Sequence, residues 1–107
     1  MHCRSFVAGP IMRQLQEESS GYPAILSCGY DPVEPVRWKF QSSPDSVVTG
    51  ITSSERFVIR GSSLVIYSVE ASDSGLYNCT DVAGELHRAI QLNVLGKFCR
   101  LFFTTSC

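Results

Sequence analysis

The chain has 107 residues, of which 44% are hydrophobic and 18% charged, and its formal net charge is −1 at pH 7. This length fits one domain, and the near-neutral charge argues against nucleic-acid binding, which needs a distinctly basic surface. No apolar run reaches the 18 or so residues of a membrane span, so we expect neither a nucleic-acid partner nor a membrane span in this chain.

Five cysteines in so short a chain favour an oxidising compartment. The first ten residues nevertheless lack the long apolar run of a secretion signal. We therefore expect a piece of a longer secreted or membrane-anchored protein. An intracellular origin is the alternative.

The first half of the chain alternates between turn signals and short strands. Residues 1–13 show no clear period and are predicted to be an N-terminal tail or linker, with a first strand within 11–16. Residues 17–21 are polar and predict a turn. In the next strand, 24–28, Ala24, Leu26 and Cys28 share the inward face.

The third predicted strand, 36–41, shows the clearest alternation. The two prolines of segment 29–35 predict a loop before it. Val36, Trp38 and Phe40 then fall on one face, while Arg37, Lys39 and Gln41 fall on the other. This is the pattern of a half-buried strand.

Further strands are predicted at 46–49, 57–59, 63–68, 76–80 and 86–95. Leu64 and Ile66 point inward, and Tyr77 and Cys79 share a face because they are two residues apart. Gly84 suits the hairpin turn 81–85. The apolar residues 96–107 form a C-terminal tail that either packs on the domain or is a non-native extension.

From about residue 14 to residue 95, the chain resembles the immunoglobulin superfamily. The residues that carry the resemblance are Cys28, Trp38, Leu64 and the run Asp73-Ser74-Gly75-Leu76-Tyr77-Asn78-Cys79. The resemblance implies an all-β fold, an immunoglobulin-like Greek-key sandwich of two antiparallel sheets. The 50 residues between the cysteines (79 − 28 − 1) indicate a short type of this domain, intermediate or constant-2.

The resemblance also assigns structural roles. It implies a disulfide between Cys28 and Cys79, with Trp38 packed against the bridge and Leu64 in the core. Tyr77 would form the tyrosine corner, whose hydroxyl bonds to nearby backbone. Asp73 would pair with Arg56, or with Arg60 as the alternative, and close the bottom of the sandwich.

Within the superfamily, residues 63–79 resemble the immunoglobulin domain of semaphorins. That resemblance implies an accessory module of a secreted or membrane-anchored guidance cue, whose main receptor-binding domain lies outside this chain. The alternative is an intracellular, muscle-type scaffolding domain. Those domains typically carry alanine two residues after the second cysteine, where this chain has Asp81, and this difference argues against them.

The residue pattern offers no chemistry of catalysis. No Ser-His-Asp set or nucleophile-elbow sequence occurs, so we expect no enzyme and no cofactor. A zinc site could form from His2, Cys3, Cys99 and Cys107 only if both tails met. Besides Cys28 and Cys79, the chain has three cysteines, Cys3, Cys99 and Cys107, and an odd number leaves one of them without a partner among the three. A Cys99–Cys107 bond would close a small loop, and the remaining thiol could link two chains or pair with another domain.

Two surface features indicate recognition. Asn78-Cys79-Thr80 matches the N-glycosylation sequence, with Asn78 and Thr80 predicted to face outward on either side of Cys79. Tyr30, in a tip loop, and the row of Arg37 and Lys39 are the candidate contact residues. The expected partner is a protein: a cell-surface receptor, a co-receptor or a second copy of this chain, met outside the cell.

Overall fold

The computed structural model describes residues 13–29 and 35–96. Eight strands and one short 3-10 turn, Ala71–Asp73, form in these residues. The strands are β1 (Arg13–Ser19), β2 (Ala24–Ser27), β3 (Arg37–Gln41), β4 (Thr49–Ile51), β5 (Phe57–Arg60), β6 (Ser63–Ile66), β7 (Gly75–Thr80) and β8 (Leu86–Leu95).

The strands form two sheets. One has five strands in the order β1-β8-β7-β3-β4, and the other has three in the order β2-β6-β5. Neighbouring strands are antiparallel, except that β1 runs parallel to β8. The predicted all-β immunoglobulin-like sandwich is therefore confirmed, with one parallel pair at an edge that the sequence did not predict.

Period-two alternation explains which residues fill the space between the sheets. In β2, Ala24 and Leu26 are buried while Ile25 between them is 61% exposed. Successive side chains of a strand point to opposite faces, so each strand contributes every second residue to the core. The largest fully buried side chains come from both sheets: Trp38, Tyr77, Leu26, Leu64, Ile66, Ile90, Leu92, Val69 and Cys79.

A disulfide joins the two sheets through the middle of this core. Cys28, just after β2, bonds to Cys79 of β7 across a sequence separation of 51 residues. Trp38 lies opposite Cys79 in the β3–β7 register and is 1% exposed. The predicted disulfide is confirmed, and its loop-closure entropy corresponds to about 4 kcal/mol of stabilisation.

Most strand boundaries differ from the prediction by one or two residues, and the differences at β1 and β4 are larger. β1 continues through residues 17–19, which were predicted as a turn, because the parallel ladder to β8 runs on to Ser19 opposite Leu95. The strand predicted at 46–49 starts only at Thr49. Ser46 instead closes a turn, since its backbone N–H and its hydroxyl both donate to the Ser43 carbonyl.

A tyrosine corner fixes the start of β7. The Tyr77 hydroxyl donates to the Asp73 carbonyl at 2.7 Å, and burial raises the pKa of Tyr77, so the hydroxyl keeps the proton that it donates. Gly75 between them has φ of +154° and lies against β3. A Cβ added there would lie 2.6 Å from Phe40 Cε1 and 2.7 Å from the Gln41 carbonyl oxygen.

Arg56 and Asp73 close the lower end of the sandwich. Arg56 Nη2 lies 2.6 Å from Asp73 Oδ2, and the other nitrogen, Nη1, donates to Oδ1 at 3.5 Å. The hydrogen bond to Asp73 raises the pKa of Arg56. Because the Asp73 side chain is only 7% exposed, its carboxylate depends on this guanidinium and on the Glu70 N–H, which donates to Oδ2 at 2.8 Å.

Gly75→Ala should lower the free energy of unfolding by about 3 kcal/mol, because the new methyl group meets β3 and the backbone is strained. Urea denaturation measures this change. The matched control is Gly50→Ala, where nothing lies within 4 Å of the added Cβ, and we expect a change of less than about 0.5 kcal/mol. Equal effects of the two substitutions would contradict the close contact at Gly75.

Arg56→Ala should lower the free energy of unfolding by about 2 kcal/mol, because it leaves the buried Asp73 carboxylate with one fewer charged partner. The control is Arg60→Ala, an exposed arginine at the end of β5, the strand that follows Arg56, and this substitution should change stability by less than about 0.5 kcal/mol. Chemical denaturation of both variants tests the assignment. A larger loss of stability in Arg60→Ala would show that Arg60, and not Arg56, is the partner of Asp73.

Candidate recognition face

The outward side of the five-stranded sheet carries the polar residues that the sequence singled out. We define the recognition face as the outward residues of its three inner strands β3, β7 and β8. They lie in cross-strand rows, one of which is Lys39–Asn78–Ala89 and another Gln41–Leu76–Gln91. The members are Arg37, Lys39, Gln41, Leu76, Asn78, Ala89 and Gln91.

Arg37 and Lys39 are the charged groups of this face. Both are exposed, and they flank the buried Trp38, so the strand that holds the indole in the core also holds the two cations in water. Neither forms a salt bridge within residues 13–29 and 35–96. Two unpaired cations about 7 Å apart along a strand can attract an acidic partner surface.

Asn78 lies in the centre of the face and is half-buried. Its neighbour on β8 is Ala89, which has a small side chain. The amide is thus placed where a bulky group could project away from the sheet.

Thr80 departs from the prediction. It was predicted to face outward, but it is 7% exposed, and its hydroxyl has no hydrogen-bond partner among the residues that the structure describes. The pairing of β7 with β8 is irregular at this point: Cys79 lies opposite Arg88 and Thr80 opposite Leu86, so His87 is an extra residue. Such a bulge bends the strand and changes which side chains cover one another, which simple alternation does not predict.

The hairpin between β7 and β8 is held by Asp81. Its carboxylate accepts the Glu85 N–H at 2.9 Å and lies 3.1 Å from His87 Nε2. The bond from Glu85, followed by that from His87, lowers the pKa of Asp81. Gly84, with φ of +93°, completes the turn by donating its N–H to the Asp81 carbonyl at 2.9 Å. This tip loop is therefore ordered by its own polar groups and borders the recognition face.

Several predicted residues lie outside the described part of the chain. They are Tyr30 of the other tip loop, and His2, Cys3, Cys99 and Cys107 of the two tails. Within residues 13–29 and 35–96, no three histidine, cysteine or acidic side chains lie close enough together to hold a metal ion. The same residues contain no helix of the length and apolarity that crossing a membrane requires.

A cleft of about 290 Å³ between β4 and β5 was not predicted from the sequence. Phe40, Ile51 and Phe57 give it apolar walls, and Tyr77 and Asp73 also line it. It arises because β4 and β5 belong to different sheets and do not pair. Its volume is at the lower limit for a small-molecule site.

Comparison with known proteins identifies the fold. No family model matches the chain. Drosophila Semaphorin 2a is similar in structure, with a TM-score of 0.69 and 22% sequence identity over 80% of this chain and 15% of that chain. The N-terminal four Ig domains of Dscam1 isoform 7.44 give a TM-score of 0.70 and 22% identity, over 85% of this chain and 24% of that chain.

A second Dscam1 structure, isoform 8.4, gives a TM-score of 0.69 and 20% identity, over 88% of this chain and 25% of that chain. This chain thus spans a quarter or less of each of these proteins. Sequence identities this low show the fold alone. The chain has the fold of an immunoglobulin domain, as the resemblance of residues 14–95 implied.

Proposed function

We propose that this chain is a non-enzymatic, extracellular immunoglobulin-like module for protein–protein recognition in cell-surface adhesion or signalling. The observation that carries the proposal is the exposed pair of Arg37 and Lys39 on the recognition face, neither of which forms a salt bridge within residues 13–29 and 35–96. Arginine is enriched at protein interfaces, and unpaired cations on a flat sheet steer an acidic partner toward it.

The Cys28–Cys79 disulfide supports the extracellular location. Structural disulfides form and persist in secreted and cell-surface proteins, whereas the cytosol keeps thiols reduced. The bridge is buried in the core, where Cys79 is the cross-strand neighbour of the buried Trp38, so the fold is built around the oxidised form.

The small area of the recognition face indicates that the tip loops also contact the partner. All five strands together span about 19 Å, and a six-residue strand is about 20 Å long, so even the whole outward side of the sheet, of which the recognition face is a part, presents only about 400 Å² in projection. A standard interface covers about 800 Å² of each partner. The partner must therefore also contact neighbouring loops, of which the ordered hairpin 81–85 lies at one end of β7 and β8.

The narrower form of the proposal is an accessory domain of a semaphorin-type guidance cue, supporting dimerisation, spacing or co-receptor contact. The sequence of residues 63–79 and the similar fold of Drosophila Semaphorin 2a support it. The alternative from another class is an intracellular muscle-type scaffolding domain, in which Cys28 and Cys79 would be reduced thiols.

Arg37→Glu should reduce binding of the fluorescently labelled, tetramerised chain to cultured cells at least about tenfold, because it reverses a cation at the contact. The control is Arg60→Glu, the same charge change on the outward side of the other sheet, and we expect binding at the wild-type level. Flow cytometry before and after protease treatment of the cells makes the measurement, with loss after protease identifying a protein partner.

Sedimentation of the unlabelled chain distinguishes a second copy from a different protein as the partner. If Arg37→Glu and Arg60→Glu weaken binding to cells equally, the loss of binding depends only on net charge, and a contact on the recognition face is contradicted. If the Arg37→Glu, Lys39→Glu double variant still binds to the cells, the recognition face is not the binding surface.

A further inference from the structure

The N-glycosylation sequence of this chain overlaps its core. Asn78 is half-buried on the recognition face, Cys79 is bonded to Cys28, and the Thr80 hydroxyl is buried with no hydrogen-bond partner in the described part of the chain. A transferase that modifies such a sequence needs the asparagine amide and the threonine side chain together. The folded domain offers it the first but not the second.

We propose that attachment of a glycan to Asn78 competes with closure of the Cys28–Cys79 disulfide, so that the chain matures into two folded forms that differ in the cover of the recognition face. This proposal rests on the extracellular function proposed above, because both reactions belong to the secretory pathway.

The two reactions involve adjacent residues and different co-reactants. In glycosylation, the Asn78 amide nitrogen bonds to the anomeric carbon of a lipid-diphosphate-linked oligosaccharide. The carbon–oxygen bond to the diphosphate breaks, and the amide gives up one proton as the lipid diphosphate leaves. In disulfide closure, the thiols of Cys28 and Cys79 lose two protons and two electrons to a disulfide oxidant, which becomes a dithiol.

Once the domain has folded, glycosylation at Asn78 is blocked. β7 is an inner strand that pairs with β3 on one side and β8 on the other, so its backbone cannot leave the sheet without opening both ladders. The disulfide holds Cys79, between the two residues that the transferase must reach, against the opposite sheet. Modification must therefore come before closure.

A glycan attached before closure is compatible with the fold. The Asn78 side chain points to the outward face, and its row neighbours are the exposed Lys39 and the small Ala89. The inward side chains of β7, Tyr77 and Cys79, lie on the other side of the sheet and are not affected. The glycosylated chain can thus still form the disulfide, while the disulfide-bonded chain cannot become glycosylated.

The time available for each reaction is similar. Cys28 precedes Cys79 by 51 residues, so its thiol is already in place when Cys79 is made. β7 is enclosed between two neighbouring strands only after β8, which ends 16 residues beyond Cys79 (95 − 79), has been synthesised. At 5–20 residues per second this takes about 1–3 s, which overlaps the fast end of disulfide formation. Occupancy at Asn78 should therefore be partial.

The glycan would decide which surface the chain presents. Asn78 lies beside Lys39 in one row, and the row of Arg37 is adjacent on the same strands. A branched oligosaccharide on this amide would cover both cations, so only the chains that closed the disulfide first would expose the recognition face.

The test expresses the full 107-residue chain behind a secretion leader in mammalian cells and measures the glycosylated fraction of all chains, in cells and medium, from the mass removed by an amidase specific for N-glycans. Wild type should be partly occupied. Cys28→Ala, which leaves the Asn78–Thr80 sequence intact, should raise the occupied fraction at least about twofold, as should a short pulse of dithiothreitol. Asn78→Gln, which cannot be glycosylated at this position, gives the background of the measurement.

Two controls isolate the disulfide from other effects. Val47→Asn in the Asn78→Gln background creates a glycosylation sequence over residues 47–49, at a site 82% exposed and without a cysteine, and its occupancy should not respond to dithiothreitol. Leu64→Ala disturbs the core and keeps both cysteines, and it should match wild type.

Equal occupancy in wild type and Cys28→Ala would overturn the proposal, as would an equal rise in Leu64→Ala. The leader delivers the chain to the secretory pathway whatever its natural location. A failure here is therefore distinct from a failure of the proposed extracellular function, which would show as reduced Cys28 and Cys79 in native material.

Discussion

The disulfide between Cys28 and Cys79, with Trp38 against it, is the contact on which the rest of this structure depends. It joins the three-stranded sheet to an inner strand of the five-stranded sheet, at the centre of the core. A domain of this size buries a limited apolar area, and a covalent tie that constrains the unfolded chain compensates for it. The lower end is closed separately by Arg56 and Asp73.

Strand alternation links this core to the proposed binding surface. Trp38 lies between Arg37 and Lys39, and Cys79 lies between Asn78 and Thr80, so the residues that hold the sheets together set the positions of those on the outer side. A rigid inner strand thus presents its cations at fixed spacing. The same overlap brings the glycosylation sequence and the disulfide into competition.

The parts of the fold that follow local rules could be predicted from the sequence. Alternation in 24–28 and 36–41 identified the buried faces, and the resemblance paired the cysteines. The structure also places Arg56, and not Arg60, beside Asp73. Strand β8 has the predicted bounds, Leu86–Leu95.

The features that were missed depend on contacts between distant residues. The extension of β1 to Ser19 requires a parallel ladder to a strand more than seventy residues away. The burial of Thr80 accompanies a bulge at His87, and the cleft beside β4 exists because two edge strands belong to different sheets. Ser46 was predicted to begin a strand, but its hydrogen bonds to Ser43 hold a turn.

Mass-spectrometric mapping of the thiols in native protein, alkylated before digestion and never reduced, tests the central claim most directly. We expect a linked peptide pair containing Cys28 and Cys79, with neither residue alkylated. Alkylation of both residues, or a bond from either one to Cys3, Cys99 or Cys107, would contradict a sandwich held together at this point and the extracellular role inferred from it.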